Sequence, residues 1–281
     1  MNQPVFITKA DGTREAFVEE KLVNSLRHVG AAPAAIDQIT DEIEREMHEG
    51  MTTSDIYGRA FALLRQHHAP TAIKYSIRRA MLELGPDGFP FEKFVARIFN
   101  AWGYEAVTDQ IVKGHCVEHE MDVVAWKGDE LAMCEAKYHN EFGMKSDLKV
   151  ALYVKARFDD LSEGDFSYGG KKRKLTGRFL FTNTKFTDKA IQYAECQSFT
   201  LIGWNFPPQG NLHDIIEQNG LQPVTCLSLL SHQEKRDAIG RGSLSCADIV
   251  GRPAVLAELG AKPERAERIL AEAQLIIEQA K

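Results

Sequence analysis

Asp122 interrupts the apolar run Met121-Asp122-Val123-Val124-Ala125-Trp126. Thirteen positions later Glu135 interrupts a second one, Leu131-Ala132-Met133-Cys134-Glu135-Ala136-Lys137. Side chains alternate along a strand, so Glu135 and Lys137 share one face and Ala136 takes the other. Lys127-Gly128-Asp129-Glu130 reads as a turn, and a hairpin folded there brings Asp122 beside them. Carboxylates placed among such neighbours without a partner cost several kcal/mol, so a cation must compensate them. Two carboxylates and a nearby backbone carbonyl supply the hard oxygen ligands that Mg²⁺ or Mn²⁺ prefers. A divalent ion held this way acidifies a bound water and neutralises charge on a phosphate, while Lys137 orients or deprotonates that water. The plainer alternative is an ion pair between Glu135 and Lys137, with Asp122 at a strand end.

Three further groups of side chains have chemistry to offer. Lys171, Lys172, Arg173 and Lys174 follow Gly169-Gly170, which reads as a flexible hinge carrying four cations. Such a segment suits DNA phosphates, although a solvated loop would have the same composition. Lys149 and Lys155 on a neighbouring helical stretch are weaker candidates. Near the N-terminus Lys9, Arg14 and Lys21 lie around an Asp11-Gly12 turn. His115, Cys116 and His119 lie close together without the second ligand pair that zinc sites normally space out, which makes them a chance cluster.

These residues need elements to position them. Val5–Thr8 and the turn Ala10-Asp11-Gly12-Thr13 predict a small hairpin, followed by helices over Phe17–Leu26, Ile36–Ile43, a stretch capped by Thr53-Ser54-Asp55, and Pro70–Leu84. Gly85-Pro86-Asp87-Gly88-Phe89-Pro90 is the first break. Next comes a helix over Phe91–Trp102 with Glu92 at one edge of its apolar stripe, then strands at Ala106–Thr108, Glu120–Trp126 and Leu131–Lys137. A helix at Met144–Leu161, a strand at Arg178–Asn183, a helix at Asp188–Cys196 and a strand at Phe199–Trp204 complete the order αβββαβαβ. That order predicts an α/β sandwich on a mixed sheet. Asn205-Phe206-Pro207-Pro208 is the second break, and short helices joined by glycine turns follow. The expected domains are 1–86, 87–205 and 206–281.

Residues 4–84 resemble the ATP-cone, a nucleotide-binding regulatory domain. The likeness rests on Lys9 and Asp11-Gly12-Thr13-Arg14, on Lys21, on the Thr52-Thr53-Ser54-Asp55 helix start and on Tyr75-Ser76-Ile77-Arg78-Arg79. It implies that Lys9, Arg14 and Lys21 face the phosphates of ATP or dATP, and that cones pack together in a homo-oligomer. Residues 88–205 resemble the Mrr-like restriction endonuclease domain of the PD-(D/E)xK nuclease superfamily. That likeness rests on Phe91-Glu92-Lys93-Phe94, Glu120-Met121-Asp122-Val123-Val124, Cys134-Glu135-Ala136-Lys137-Tyr138 and Leu180-Phe181-Thr182-Asn183. It implies Asp122 and Glu135 as metal ligands, Lys137 as the catalytic lysine, and Glu92 as an accessory acid. The end of the chain, around Leu256–Ala261, faintly resembles helix-hairpin-helix modules that bind the DNA backbone, and a packing or dimerisation module reads equally well.

Composition sets the outer limits. The chain has 281 residues, 44% hydrophobic and 26% charged, with 34 basic against 40 acidic side chains and a net charge of −6. That is globular composition, and it excludes a protein that coats nucleic acid by bulk charge while leaving a local basic groove open. Five scattered cysteines without a C-x-x-C pair, no signal-peptide layout and no bilayer-length apolar run predict a cytoplasmic protein. The combined expectation is a metal-dependent DNA endonuclease gated by adenine nucleotide. The rival is a nucleotide-responsive DNA-binding regulator or repair factor whose nuclease fold is silent.

Overall fold

The computed structural model of the protein describes residues 5–9, 12–85, 87–141 and 143–278. Ala10 and Asp11 of the expected turn, and Pro86 of the first break, lie outside the described residues. The chain forms two compact units, one of residues 1–80 with 141–143, the other of residues 81–140 and 144–281.

In the first unit β1 (Phe6–Thr8) pairs antiparallel with β2 (Arg14–Ala16), Ile7 opposite Glu15. Four helices follow: α1 (Glu19–His28), α2 (Pro33–Glu46), α3 (Thr53–His67) and α4 (Ala69–Leu82). Proline suits the first position of α2 because no helical partner is needed for a nitrogen there. The start of α3 is capped by Thr52, one residue ahead of the expected cluster, in a reciprocal box with Asp55. Leu26, Ile39, Ile43 and Leu64 form the core beneath the hairpin with Ile7.

The second unit opens with α5 (Phe89–Ala101) and a meander of β3 (Glu105–Lys113), β4 (Glu118–Lys127) and β5 (Glu130–Lys137). A short β6 (Lys145–Ser146) leads into α6 (Leu148–Leu161). The hairpin β7 (Phe166–Tyr168) and β8 (Lys171–Arg173), then β9 (Gly177–Thr182), β10 (Lys185–Phe186), α7 (Asp188–Cys196) and β11 (Thr200–Ile202) follow. The main sheet runs β11-β9-β5-β4-β3, antiparallel across β3, β4 and β5 and parallel across β5, β9 and β11. Its element order is αβββαβαβ once the small extra pairs are set aside. One face is covered by α5, whose Phe99 meets Phe179 and Phe181 edge to face or tilted. On the other face Leu131, Met133 and Leu180 pack with Val154 and Phe158 of α6.

Three local expectations change. The helix expected from Met144 begins at Leu148, because Asp147 accepts the amides of Lys149 and Val150 and caps it, leaving Lys145 and Ser146 to pair with Lys185 and Phe186. Spacing predicts Leu148, Ala151, Leu152, Lys155 and Phe158 along one side, whereas the buried stripe is Ala151, Val154, Arg157, Phe158 and Leu161, so the helix is turned relative to that expectation. Leu152 is exposed and Lys155 pairs with Asp159. Gly169-Gly170 is the tight turn of the β7–β8 hairpin rather than a hinge. Both glycines have positive φ, 55° and 74°, as a two-residue hairpin turn requires, and a Cβ on Gly169 would meet Trp126 Nε1 at 2.6 Å.

The last helices are α8 (Leu212–Gln218), α9 (His232–Gly240), α10 (Cys246–Gly251), α11 (Ala254–Glu258) and α12 (Pro263–Glu278). They fall in the same compact unit as the sheet. The Leu212 amide donates to Gly203 O (2.9 Å), Trp204 packs on His213, and Arg97 of α5 pairs with Asp248 of α10 at 3.4 Å. Gly260, φ 81°, turns α11 into α12. Among the described residues all five cysteines are free, and no helix is long and apolar enough to cross a membrane.

Candidate functional site

Val123 stands opposite Cys134 in the β4–β5 ladder, so the next pair outward is Asp122 and Glu135. Asp122 Oδ2 accepts the Ala136 amide at 2.7 Å, which locks its carboxylate against the end of β5. Glu135 lies beside Leu180 of β9, and Lys137 beside Thr182. Ligands of open α/β sheets collect beyond the carboxyl ends of parallel strands, and these residues sit at that end of β5. Glu92 joins them from the first turn of α5, half-buried. The structure thus brings Asp122, Glu135 and Glu92 together, with Lys137 exposed at the same edge.

Two residues of this corner escaped the sequence reading. Arg157 of α6, only 9% exposed, donates through Nη1 to Glu135 Oε2. Its Nε is buried without a partner. A lone arginine on the apolar Val154–Phe158–Leu161 stripe was the signal that could have found it. Asp109 of β3 stands between Thr108 and Gln110, which pair with Val123 and Met121, and therefore faces Asp122 across the ladder. Its φ is +55°, a conformation that aspartate tolerates better than most side chains.

Acids outnumber cations here, and the electrostatics show it. Burial first, then Asp122, Asp109, Glu135 and Glu120, push the Glu92 carboxyl from an ordinary 4.5 to about 7. Glu135 is likewise pushed up to about 7, by burial and by Asp122, against the opposing pull of Arg157 and Lys137. Asp122 is raised as well, chiefly by burial, although the Ala136 amide and Arg157 act in the other direction. Arg157 thus relieves the corner without neutralising it. Asp122 Oδ1 and Glu135 Oε1 have no protein donor among the described residues and remain able to ligate a cation. Among the described residues no group of three or more His, Cys, Asp or Glu side chains is placed to hold a metal ion, so Glu92 does not join Asp122 and Glu135 as a third direct ligand. A metal held here would have two carboxylates and complete its shell with water, which is the habit of Mg²⁺. The donor set fits that ion.

The basic segment after Gly170 looks different from its sequence. Arg173 is 9% exposed and donates to the carbonyls of Gly128 and Tyr168, so it holds the β4–β5 turn to the hairpin and cannot grip a ligand. Lys171 pairs with Asp129, and Lys174 with Asp165 at 3.3 Å. Lys172 is exposed. The four cations do not form one surface, because strand alternation sends Lys172 and Arg173 to opposite sides.

In the first unit Lys9 and Lys21 both reach Glu15, at 2.7 and 3.0 Å. Those two hydrogen bonds hold the Glu15 carboxyl below its usual range. Arg14 points to the other face of the hairpin and pairs with Glu49. Two of the three expected phosphate contacts are therefore together, and the third is apart from them. The His115–His119 cluster is explained by Asp160 of α6. Its carboxylate accepts the amides of Cys116 (2.7 Å) and Val117 (3.2 Å) and contacts His119 Nε2 at 2.7 Å, pinning the β3–β4 turn.

Residues 5–82 match the ATP cone domain family, and residues 223–277 match the family described as AF1548-like, C-terminal. An uncharacterized protein from Archaeoglobus fulgidus is 36% identical over 185 residues, which is 65% of this chain and 99% of the relative. The crystal structure of AF1548, a protein of unknown function, aligns with a TM-score of 0.55 at 34% identity. It covers 69% of this chain and 100% of its own.

Proposed function

Since the chain belongs to the AF1548-like family and carries an ATP cone at residues 5–82, we propose that it is a divalent-metal-dependent DNA endonuclease whose activity or assembly responds to an adenine nucleotide. One observation carries this reading. Asp122 and Glu135 are adjacent, half-buried and both destabilised as anions at the carboxyl end of the sheet, with Lys137 beside them. A folded protein tolerates such a surplus of negative charge where a cation is meant to bind.

Asp122 and Glu135 would hold Mg²⁺ or Mn²⁺. When bound, that ion supplies an acidified water and neutralises charge on the scissile phosphate. The remaining work falls to the chain itself. The Ala136 amide keeps Asp122 in one rotamer, and Arg157 fixes Glu135 from the side opposite its open oxygen. Lys137 faces solvent, where it orients the attacking water and meets the phosphate. Glu92, with a carboxyl that titrates near 7, can exchange a proton at the same edge. In the cone, Lys9 and Lys21 would exchange Glu15 for nucleotide phosphates. Coupling requires that nucleotide bind two global states of the protein unequally, and different oligomers are the states we assign.

The Glu135–Arg157 pair favours a second reading, in which arginine has replaced the metal and the fold binds DNA without cutting it, as a nucleotide-responsive regulator or repair factor. Plasmid nicking with and without Mg²⁺ separates the two. Mg²⁺-dependent nicking by the wild type, absent in Asp122→Ala, supports the nuclease. DNA binding without nicking at any divalent ion supports the regulator.

A further inference from the structure

Helix α4 starts in the first compact unit, and its last two residues, Met81 and Leu82, belong to the second. Met81 and, just past the helix, Leu84 are buried. The last four carbonyls of a helix find no partner within it. One of them, Leu82 O, accepts the Tyr138 hydroxyl at 2.6 Å, and the same hydroxyl accepts the Gly85 amide at 2.9 Å. Leu82, Gly85 and Tyr138 all lie in the second unit. A tyrosine at the end of β5 thus caps the last helix of the matched ATP cone. The fit is close. A Cβ on Gly85 would stand 2.6–2.9 Å from the end of the Tyr138 ring, so any side chain there displaces the phenol.

Tyr138 also adjoins two residues of the acid corner. Lys137 precedes it in the chain, and its ring meets Phe91, the residue before Glu92, with centroids 5.8 Å apart. The strand end around it is held on both sides. Lys137 is the register partner of Thr182 in β9, and His139 exchanges two bonds of 2.8 Å with the Asn183 side chain. Residues 137–139 are therefore a stiff piece of backbone. A pull on the phenol reaches Lys137 instead of being lost in a loop.

From these contacts we infer that Tyr138 is the coupling residue of the protein, carrying the nucleotide-dependent state of α4 to Lys137 and Glu92. The inference rests on the nucleotide-gated nuclease reading above and names the route of its regulation. Two arrangements suffice, one with the hydroxyl seated on Leu82 and Gly85 and one with it released. Nucleotide that favours either arrangement shifts the site by the same factor, commonly about 5- to 150-fold. Tyr138 is a positioning residue, since its hydroxyl is spent on the end of α4. A tyrosine that only capped the helix would change stability and leave the response to nucleotide intact.

Tyr138→Phe tests this, because it keeps the ring and removes both bonds. Cleavage by the full chain is measured in Mg²⁺ with and without saturating ATP or dATP. Calorimetric titration of the nucleotide and hydrogen exchange of residues 134–139 accompany it. In the wild type nucleotide should change cleavage at least about fivefold and alter exchange across 134–139. In Tyr138→Phe basal cleavage and nucleotide Kd should stay within about twofold of wild type, while the nucleotide effect falls below about twofold and exchange no longer responds. Gly85→Ala should uncouple in the same way by displacing the ring. Thermal melting checks that both variants fold, and Tyr138→Phe decides alone if Gly85→Ala does not. A nucleotide response of wild-type size in folded Tyr138→Phe overturns this inference alone. A wild type that cuts nothing ends the nuclease reading, and the exchange response of Tyr138→Phe, lost or kept, still decides the coupling. A wild type that binds no nucleotide, or binds it without any response, overturns the inference together with the gating.

Discussion

In the N-terminal unit two lysines meet one glutamate at the surface, Lys9 and Lys21 on Glu15. In the sheet unit the proportions are reversed, with Asp122, Glu135 and Glu92 crowding a half-buried corner around the single guanidinium of Arg157. The cone contacts are solvated, so each contributes little to stability and can be exchanged for a phosphate at small cost. The corner cannot shed its charge into water, and three carboxyls there are pushed above their ordinary range. The difference shows how one chain prepares for two charges of opposite sign. On the proposed reading, the anion site at the surface is filled provisionally by the protein's own acid, whereas the cation site in the low-dielectric corner is left short of positive charge.

The largest expected effect breaks the corner itself. Asp122→Ala should reduce Mg²⁺-dependent cleavage on the order of 10³-fold, since metal-assisted charge stabilisation supplies several kcal/mol. Its melting temperature without metal should be equal to or above that of the wild type, because repulsion with Glu135 and Glu92 is relieved. Retained cleavage would end the assignment. Removing the counterion comes next. Arg157→Gln should cost about 3 kcal/mol of stability above about pH 7, where Glu135 is ionised, and much less below about pH 4.5, where it is protonated folded or unfolded. Denaturant titrations in the two ranges measure this, and equal losses would mean that Arg157 acts only by packing.

The wild type offers a milder version of the same contrast. Glu135 and Glu92 titrate near 7 in the folded protein and near 4.5 when unfolded. Between those values the folded state binds more protons than the unfolded one, so stability falls as pH rises through the window. A melting temperature that declines from about pH 4.5 to about pH 7, with a smaller decline in Mg²⁺, is the expected result. A flat profile would show that the acids are better solvated than their packing implies. The smallest effects belong to the cone. Lys21→Ala should weaken ATP or dATP binding at least about tenfold, or roughly 1.4 kcal/mol. Arg14→Ala, on the far face of the hairpin, should change it less than about threefold. Calorimetric titration checks both, and equal losses at the two positions would place Arg14 on the phosphates after all.

Much of the acid corner was legible in the sequence because the rule involved is local. Alternation along a strand follows from backbone geometry, so carboxylates in apolar runs and a turn of the right length were enough to pair Asp122 with Glu135. The helices of the cone were readable for a similar reason, since their apolar stripes repeat within a few residues. Tertiary structure alone decided which cations accompany those acids. Arg157 lies 22 residues beyond Glu135 and meets it because α6 packs on one face of the sheet with a particular rotation. Arg173 stands in a run of cations, but the β7–β8 hairpin turns it inward onto the carbonyls of Gly128 and Tyr168. Lys145 and Lys185 are forty positions apart, and only the parallel pairing of two short strands makes them neighbours. Spacing along the chain determines which side of an element a residue takes. Which charges then share a surface depends on how elements pack, and the energy of that packing is summed over contacts far apart in sequence.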